Sequence, residues 1–264
     1  MRLLSIRRLI RQWRFGWVAA GAAVVGSSCS PDHDADNRWL ATEAAASFAK
    51  SLRAVGLEAV QEGATITVAG KRIEVQATVE AKQKAQGKEV LAAAFEIALD
   101  GTRDPALRSG TVGVDDTPER ARATAVSEWE AFSGTPIAFA LAARLGAGNI
   151  PAGAKVELEG RTLFHGAVGI RGKVKDDDQK WSADLVRKIA NSALPLLQRT
   201  APRGNFRAVS IQVAVRDTMV TGGECRIDGS VSRELLEAVS SLQFPRASSD
   251  YLLKLFFVSP VGDR

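Results

Sequence analysis

The chain is predicted to fold as an α+β protein in which antiparallel sheets are packed by helices, in the rough order α-ββββ-αα-ββ-α-ββ-α-β. Three features carry this. Ile73, Val75, Ala77 and Val79 alternate with Arg72, Glu74, Gln76 and Thr78, and Val209, Ile211, Val213 and Val215 repeat the two-residue period of a half-buried strand. Leu40, Ala44, Phe48, Leu52 and Val55 recur at three- and four-residue spacings, the period of a helix with one buried face. The gaps between the early strands are too short for crossover helices, so those strands are joined antiparallel.

The first 30 residues have a character of their own. Arg2, Arg7, Arg8, Arg11 and Arg14 make a positive start, and no acidic residue precedes Asp32. Phe15 to Val25 is a run of about eleven mostly apolar residues, enough for a signal-peptide core and short of the roughly 20 that span a bilayer. Gly26-Ser27-Ser28-Cys29 follows. This ending resembles the lipobox of bacterial lipoproteins, in which a small residue precedes a cysteine that is lipidated on its thiol and becomes the mature N-terminus. Gly26 stands where that family usually carries Leu or another branched apolar residue. Ile6-Arg7-Arg8-Leu9-Ile10 also resembles a twin-arginine export motif, with Arg11 in place of an apolar residue. Ordinary cleavage, an uncleaved anchor and a leader of another kind are the alternatives to lipidation at Cys29. A basic amphipathic surface helix fits poorly, because Ala19 to Ser28 has no polar face.

Once the leader is set aside, the charge balance changes. Of 35 Lys and Arg, five precede Cys29, while none of the 30 Asp and Glu does, so the remainder is neutral. A neutral body lacks the basic footprint of a nucleic-acid binder, and no nucleic-acid partner is expected. The charge-dense stretches Ala81 to Glu89 and Lys173 to Lys180 mix signs and read as solvated turns. The chain has two cysteines, Cys29 and Cys225, which exclude a disulfide framework.

In order, residues 1–29 form the signal peptide, 30–36 a polar tether, 37–145 and 154–258 two α+β halves or one continuous domain over 37–258. Asn37 to Val55 is the first helix, closed by Gly56. Ile66 and Val68 begin the strands, Ile73 to Val79 and Leu91 to Leu99 continue them, Asp100-Gly101 marks a turn, and Thr111 to Val114 is the fourth strand. Thr117 caps the next helix, Pro118 suits its first position, and Ala121, Ala125, Trp129 and Phe132 form its apolar stripe. Gly134-Thr135-Pro136 breaks it before a second short helix, Ile137 to Leu145. Gly146 to Gly153 is the internal boundary. Val156 to Leu158 and Leu163 to Ile170 are strands, and Ser182 to Leu197 is a helix that Pro195 is expected to end. Strands Val209 to Val215 and Met219 to Ile227, helix Ser232 to Leu242, and strand Tyr251 to Val258 follow, the last apolar on both sides and so interior to its sheet.

The run Gly110 to Val114 into Asp116-Thr117-Pro118-Glu119-Arg120-Ala121, the helix through Trp129 and Phe132, the strand Gly222 to Asp228, and the closing Tyr251 to Val258 together resemble the bacterial domain-of-unknown-function family 6348. The resemblance covers about residues 38 to 258 and implies no activity.

Catalytic means are scarce in the body. Ser47-Phe48-Ala49-Lys50 matches the S-x-x-K of penicillin-binding enzymes, but the S-D-N and K-T-G strings those enzymes need are absent. His165, beside Phe164 on a strand, reads as a structural histidine, and Cys225, sharing a face with Ile227, as a small buried apolar residue. Asp176-Asp177-Asp178 lacks the spaced ligands and glycine of a calcium loop. No catalytic, cofactor or metal residue is assigned, and Cys29 is the one site residue, for lipid attachment. The sequence thus points to an exported, lipid-anchored, non-catalytic binding module of the bacterial cell envelope, with the membrane and a protein or envelope component as partners. In a Gram-negative cell the lipoprotein resemblance implies the outer membrane or periplasmic face, with Ser30 after the cysteine favouring the outer membrane. A hydrolase-type enzyme using scattered carboxylates or His165, and an immunity-type inhibitor of a toxin, are the alternatives.

Overall fold

The computed structural model describes residues 31–147, 149–166, 169–171, 179–245 and 250–261. The leader with Cys29, and Asp176, Asp177 and Asp178, lie outside the described residues. The chain divides into two units, Met1–Asp34 and Ala35–Arg264, and the second holds both sheets.

Helix α1 (Pro31–Ala54) buries Leu40, Ala44, Phe48 and Leu52, as its periodicity predicts. It starts earlier than predicted, so the expected polar tether 30–36 is helical from Pro31 onward. The reason lies far away in sequence. Asp36 is 5% exposed and ion-paired with Arg122 and Lys82, and the Asn37 Oδ1 accepts the Val79 N–H at 2.7 Å. Burial alone would raise the Asp36 pKa, but Lys82 and Arg122 outweigh it and hold the carboxyl below the usual aspartate value.

The first sheet is an antiparallel meander of β1 (Ala59–Glu62), β2 (Thr65–Val68), β3 (Lys71–Ala85) and β4 (Lys88–Leu99). The far edge of β4 is shared by β5 (Thr102–Arg103) and β6 (Ser109–Asp115). β1 is not foreseen by the sequence pattern. The stretch 81–89, expected as a turn, is mostly strand: β3 and β4 run to a two-residue turn at Gln86 and Gly87. The register shifts between Val79 and Ala81, a bulge that leaves Glu80 as the extra residue. Past it Lys82 lies opposite Leu91, on the face that carries the core, and there it meets Asp36.

Between the sheets runs one helical stretch. In α2 (Pro118–Trp129) the Thr117 hydroxyl accepts the Arg120 N–H at 3.3 Å and Pro118 takes the first turn, as expected. The predicted break at Gly134-Thr135-Pro136 does not occur. A π-helical turn, Glu130–Gly134, leads directly into α3 (Thr135–Arg144), and the Thr135 N–H donates to the Glu130 carbonyl five residues back. The wider turn accommodates Pro136, which has no N–H to give.

The second sheet contains β7 (Lys155–Leu158), β8 (Arg161–His165), β9 (Gly169–Arg171), β10 (Phe206–Arg216), β11 (Met219–Ile227), β12 (Ser230–Val231) and β13 (Tyr251–Pro260), all antiparallel. β13 lies between β10 on one side and β8 and β9 on the other, the interior place its composition predicts. One face, with Val209, Ile211, Val213, Cys225, Leu255 and Phe257, packs against α4 (Gln179–Arg199) and α5 (Arg233–Ser240). On the other face, Phe164, Phe206, Ala208, Phe256 and Val258 join the core built by the first sheet, α1, α2 and α3. Pro195 does not end α4, which runs to Arg199. Leu194, Leu196 and Leu197 are buried around it, and that packing offsets the lost hydrogen bond.

Two backbone approaches fix the middle helical stretch. A Cβ at Gly113 on β6 would collide with the Ala121 carbonyl, and one at Gly166 would lie 2.6 Å from the Ala131 carbonyl and 2.7 Å from that of Phe132. Removing Asp36 should show how much the start of α1 depends on its ion pairs. Asp36→Ala leaves Arg122 without its buried partner, and the expected loss is about 2–3 kcal/mol in urea unfolding.

Candidate functional site

The π-helical turn places one carboxyl among hydroxyls. Glu130 Oε1 accepts from the Ser51 hydroxyl on α1 and, at 3.1 Å, from Thr135 on α3. Ser47, one helical turn before Ser51, and the charge of Lys50 also favour the ionised form of this carboxyl. Oε2 is buried with no hydrogen-bond partner among the described residues, and it crowds Gly134, where a Cβ would lie 2.6 Å away. Burial pushes Glu130 above the usual glutamate pKa, against the hydroxyls of Ser51, Thr135 and Ser47 and the charge of Lys50, which all favour the ionised form. Beneath the turn, Trp129 stacks on Phe95 at 4.9 Å and tilts against Phe48 at 6.2 Å, while the Ser133 and Ser109 hydroxyls meet at 2.6 Å. The Ser47–Lys50 motif therefore meets a carboxylate that the sequence does not associate with it. Only the partnership of α1 with the turn reveals the cluster.

A second concentration of charge lies across the second sheet. Glu224, Gln212 and Lys254 are opposite one another on β11, β10 and β13, and Ser210 and Arg226 form the adjacent pair on the same face. Lys254 is only 7% exposed and is paired with Glu128 of α2 at 3.0 Å. Arg226 pairs with Glu224 at 2.5 Å. Arg226 and Glu224 also act on Glu80, the bulge residue of β3, which contacts Arg108 at 3.7 Å; Arg108 in turn contacts Glu96 at 3.3 Å. Burial raises the Glu80 pKa even so. Both signs are present in near balance, drawn from two sheets and a helix. Strand alternation predicts that such residues share a face, but not that the two sheets bring them together.

The residues singled out from sequence take other positions. His165 Nδ1 lies 3.1 Å from the Gly166 carbonyl, and its ring meets Phe257 edge-on at 6.1 Å, so it does not share the Glu130 cluster's hydroxyls. Cys225 is buried and unpaired, and burial pushes its thiol up to about 12, far from a reactive thiolate. Cys29 and the three aspartates lie outside the described residues, among which no group of three or more His, Cys, Asp or Glu is placed to hold a metal ion. Two further buried acids bind the fold together. Asp104 caps a short 3₁₀ turn through Ala106 N–H and accepts the N–H groups of Asn205 and Phe206. Asp228 accepts the Ala208 N–H at 2.9 Å and contacts Arg207 Nε at 2.7 Å. Burial raises the Asp228 pKa despite these contacts.

A family model described as a family of unknown function (DUF6348) matches residues 43–258. Comparison with curated proteins and with solved structures gives no match.

The Glu130 carboxyl makes a signed prediction. A carboxyl that holds its proton more tightly when folded contributes fully below its ordinary value of 4.5, and loses that contribution as pH rises through the raised folded value. The unfolding free energy of the wild type should therefore fall, relative to Glu130→Gln, as urea titrations move upward from pH 4.5. A difference constant with pH would contradict the raised value.

Proposed function

The chain belongs to DUF6348, a family whose role is unknown, and we propose that this member is a non-catalytic binding module of the cell envelope, exported by its arginine-rich leader and held to a membrane through lipidated Cys29. The observation that supports binding is how the body's polar side chains are used. Asp36, Asp104, Arg207 and Asp228 are engaged by opposite charges or by backbone groups from distant parts of the chain. The charge presented across elements is the mixed set of Glu80, Arg108, Glu224 and Arg226. Near-balanced charges suit a protein partner with a complementary mixed surface, since such arrangements select among partners more than they add affinity. They do not suit a nucleic-acid backbone, which rewards an excess of positive charge.

In this reading attachment rests on Cys29; among the described residues no helix is long and apolar enough to cross a membrane. Cells fed labelled palmitate should incorporate it into the wild-type protein and not into Cys29→Ser. A wild type that takes no label refutes the lipid anchor.

A second reading, a hydrolase-type enzyme, is favoured by one contact, that of the Ser51 hydroxyl with Glu130. A carboxylate of raised pKa is a better base toward a serine hydroxyl. If Ser51 is a nucleophile, a fluorophosphonate probe should modify it in the purified protein and leave Ser51→Ala unmodified. The binding reading expects no adduct at Ser51 in either.

A further inference from the structure

We propose that the end of the body bearing Trp39 rests on the lipid surface to which Cys29 is attached, with the Trp39 indole seated at the level of the headgroups. The inference builds on the lipid anchor proposed above and adds a contact made by the folded body itself. Trp39 is 37% exposed, and it is the aromatic member of the exposed large apolar side chains among the described residues. An indole with one wet edge and an apolar ring favours the boundary between water and hydrocarbon.

Chain length supplies the partner. Trp39 follows Cys29 by ten residues, which extend to about 35 Å at most and to about 15 Å where helical. Position 39 is therefore confined to the neighbourhood of any bilayer that holds Cys29.

The indole is also held in place before any contact is made. The Arg122 guanidinium carbon lies 5.3 Å from the centre of the Trp39 ring, and Arg122 is itself paired with Asp36, which binds Lys82. Fixing the ring in advance lowers the ordering cost of seating it. Exposed cations lie on the elements that meet here: Arg38 beside Trp39 on α1, Lys82 reaching Asp36, and Lys84 and Lys88 further along the β3–β4 hairpin. Acids accompany them, with Glu89 paired to Lys84, Asp116 to Lys88 and Glu119 to Arg122. Long basic side chains of this kind lay their stems on an apolar boundary and keep their charges wet. Since all of these cations but Arg38 are paired with acids, burial of the indole rather than attraction to anionic lipid drives the contact, and a zwitterionic surface suffices. One indole does not hold a protein of this size on a membrane unaided, so the contact forms only while the lipid anchor holds the body there.

The test uses the acylated protein as processed in cells, beginning at Cys29, purified and reconstituted into phosphatidylcholine vesicles, with and without bromine on the acyl chains. Bromine quenches indoles that reach the acyl boundary. Wild-type emission should fall in brominated vesicles, and that fall should be lost in Trp39→Phe. Trp129, buried in the core, and Trp181 are retained in both proteins, while Trp13 and Trp17 precede Cys29 and leave with the leader when Cys29 becomes the N-terminus. Equal emission from the wild type in both vesicle types, or equal quenching of Trp39→Phe, overturns the contact. Palmitate labelling of the same preparation separates the two ideas: label without Trp39 quenching overturns the contact alone, and absence of label overturns the anchor and the contact together.

Discussion

Everything in the body depends on how closely the middle helical stretch is held between two sheets. Gly113 brings β6 against the backbone of α2, and Gly166 brings the end of β8 against the carbonyls of the π-helical turn. Contacts at backbone distance leave no room to slide, so the helix takes one position relative to both sheets. Trp129, packed between Phe48 and Phe95, then links α1 to β4, and Phe132 meets Phe256 at 5.8 Å to link the same helix to β13. One element thus closes a core shared by both halves of the sequence, which is why a glycine-rich stretch after α3 does not separate their packing.

A helix held this tightly carries its irregularity with it. The π-helical turn absorbs Pro136 and sets the Glu130 carboxyl between α1 and α3, where the Ser51 and Thr135 hydroxyls bind one oxygen while the other is left without a hydrogen-bond partner among the described residues. A second group of acids bridges distant segments in the same way. Asp104 receives the N–H groups that open β10, and Asp228 joins Arg207, whose guanidinium also donates to the Leu197 and Thr200 carbonyls at the end of α4. A buried charge is costly unless its partners are complete, so these residues favour one arrangement of strands and helices over compact alternatives.

Elements with a regular period were legible in the sequence. The stripe on α1, the alternation in β3 and β10, the cap at Thr117 and the interior place of β13 all follow from local rules that the packing reinforces. What was not legible depends on distant partners. Asp36 and Asn37 look like a polar spacer until Arg122, Lys82 and the bulge at Glu80 are beside them. Gly134-Thr135-Pro136 looks like a helix end because the sequence does not show that a wider turn will be clamped in place. The charged run 81–89 looks like a loop because alternation of lysine with alanine and glutamine carries little apolar signal, although residues 81–85 pair with β4. The same limit hid the candidate sites, since Glu130 and Ser51 are 79 residues apart and Lys254 and Glu128 are 126 apart.

The distribution of charge bears on the kind of partner the body can take. With the five arginines before Cys29 set aside the remainder is balanced, and the described ion pairs keep most of that balance local. A surface of this kind exerts little long-range pull on a diffusing partner, because opposite charges a few ångströms apart cancel beyond a Debye length of about 8 Å. Encounter then depends on concentration rather than steering. The anchor proposed at Cys29 would raise the local concentration of the protein toward partners on the same surface without any new contact. In the proposed reading the two are complementary: an anchor at Cys29 supplies proximity, and the body, with its mixed charges fixed on strands and helices, supplies discrimination.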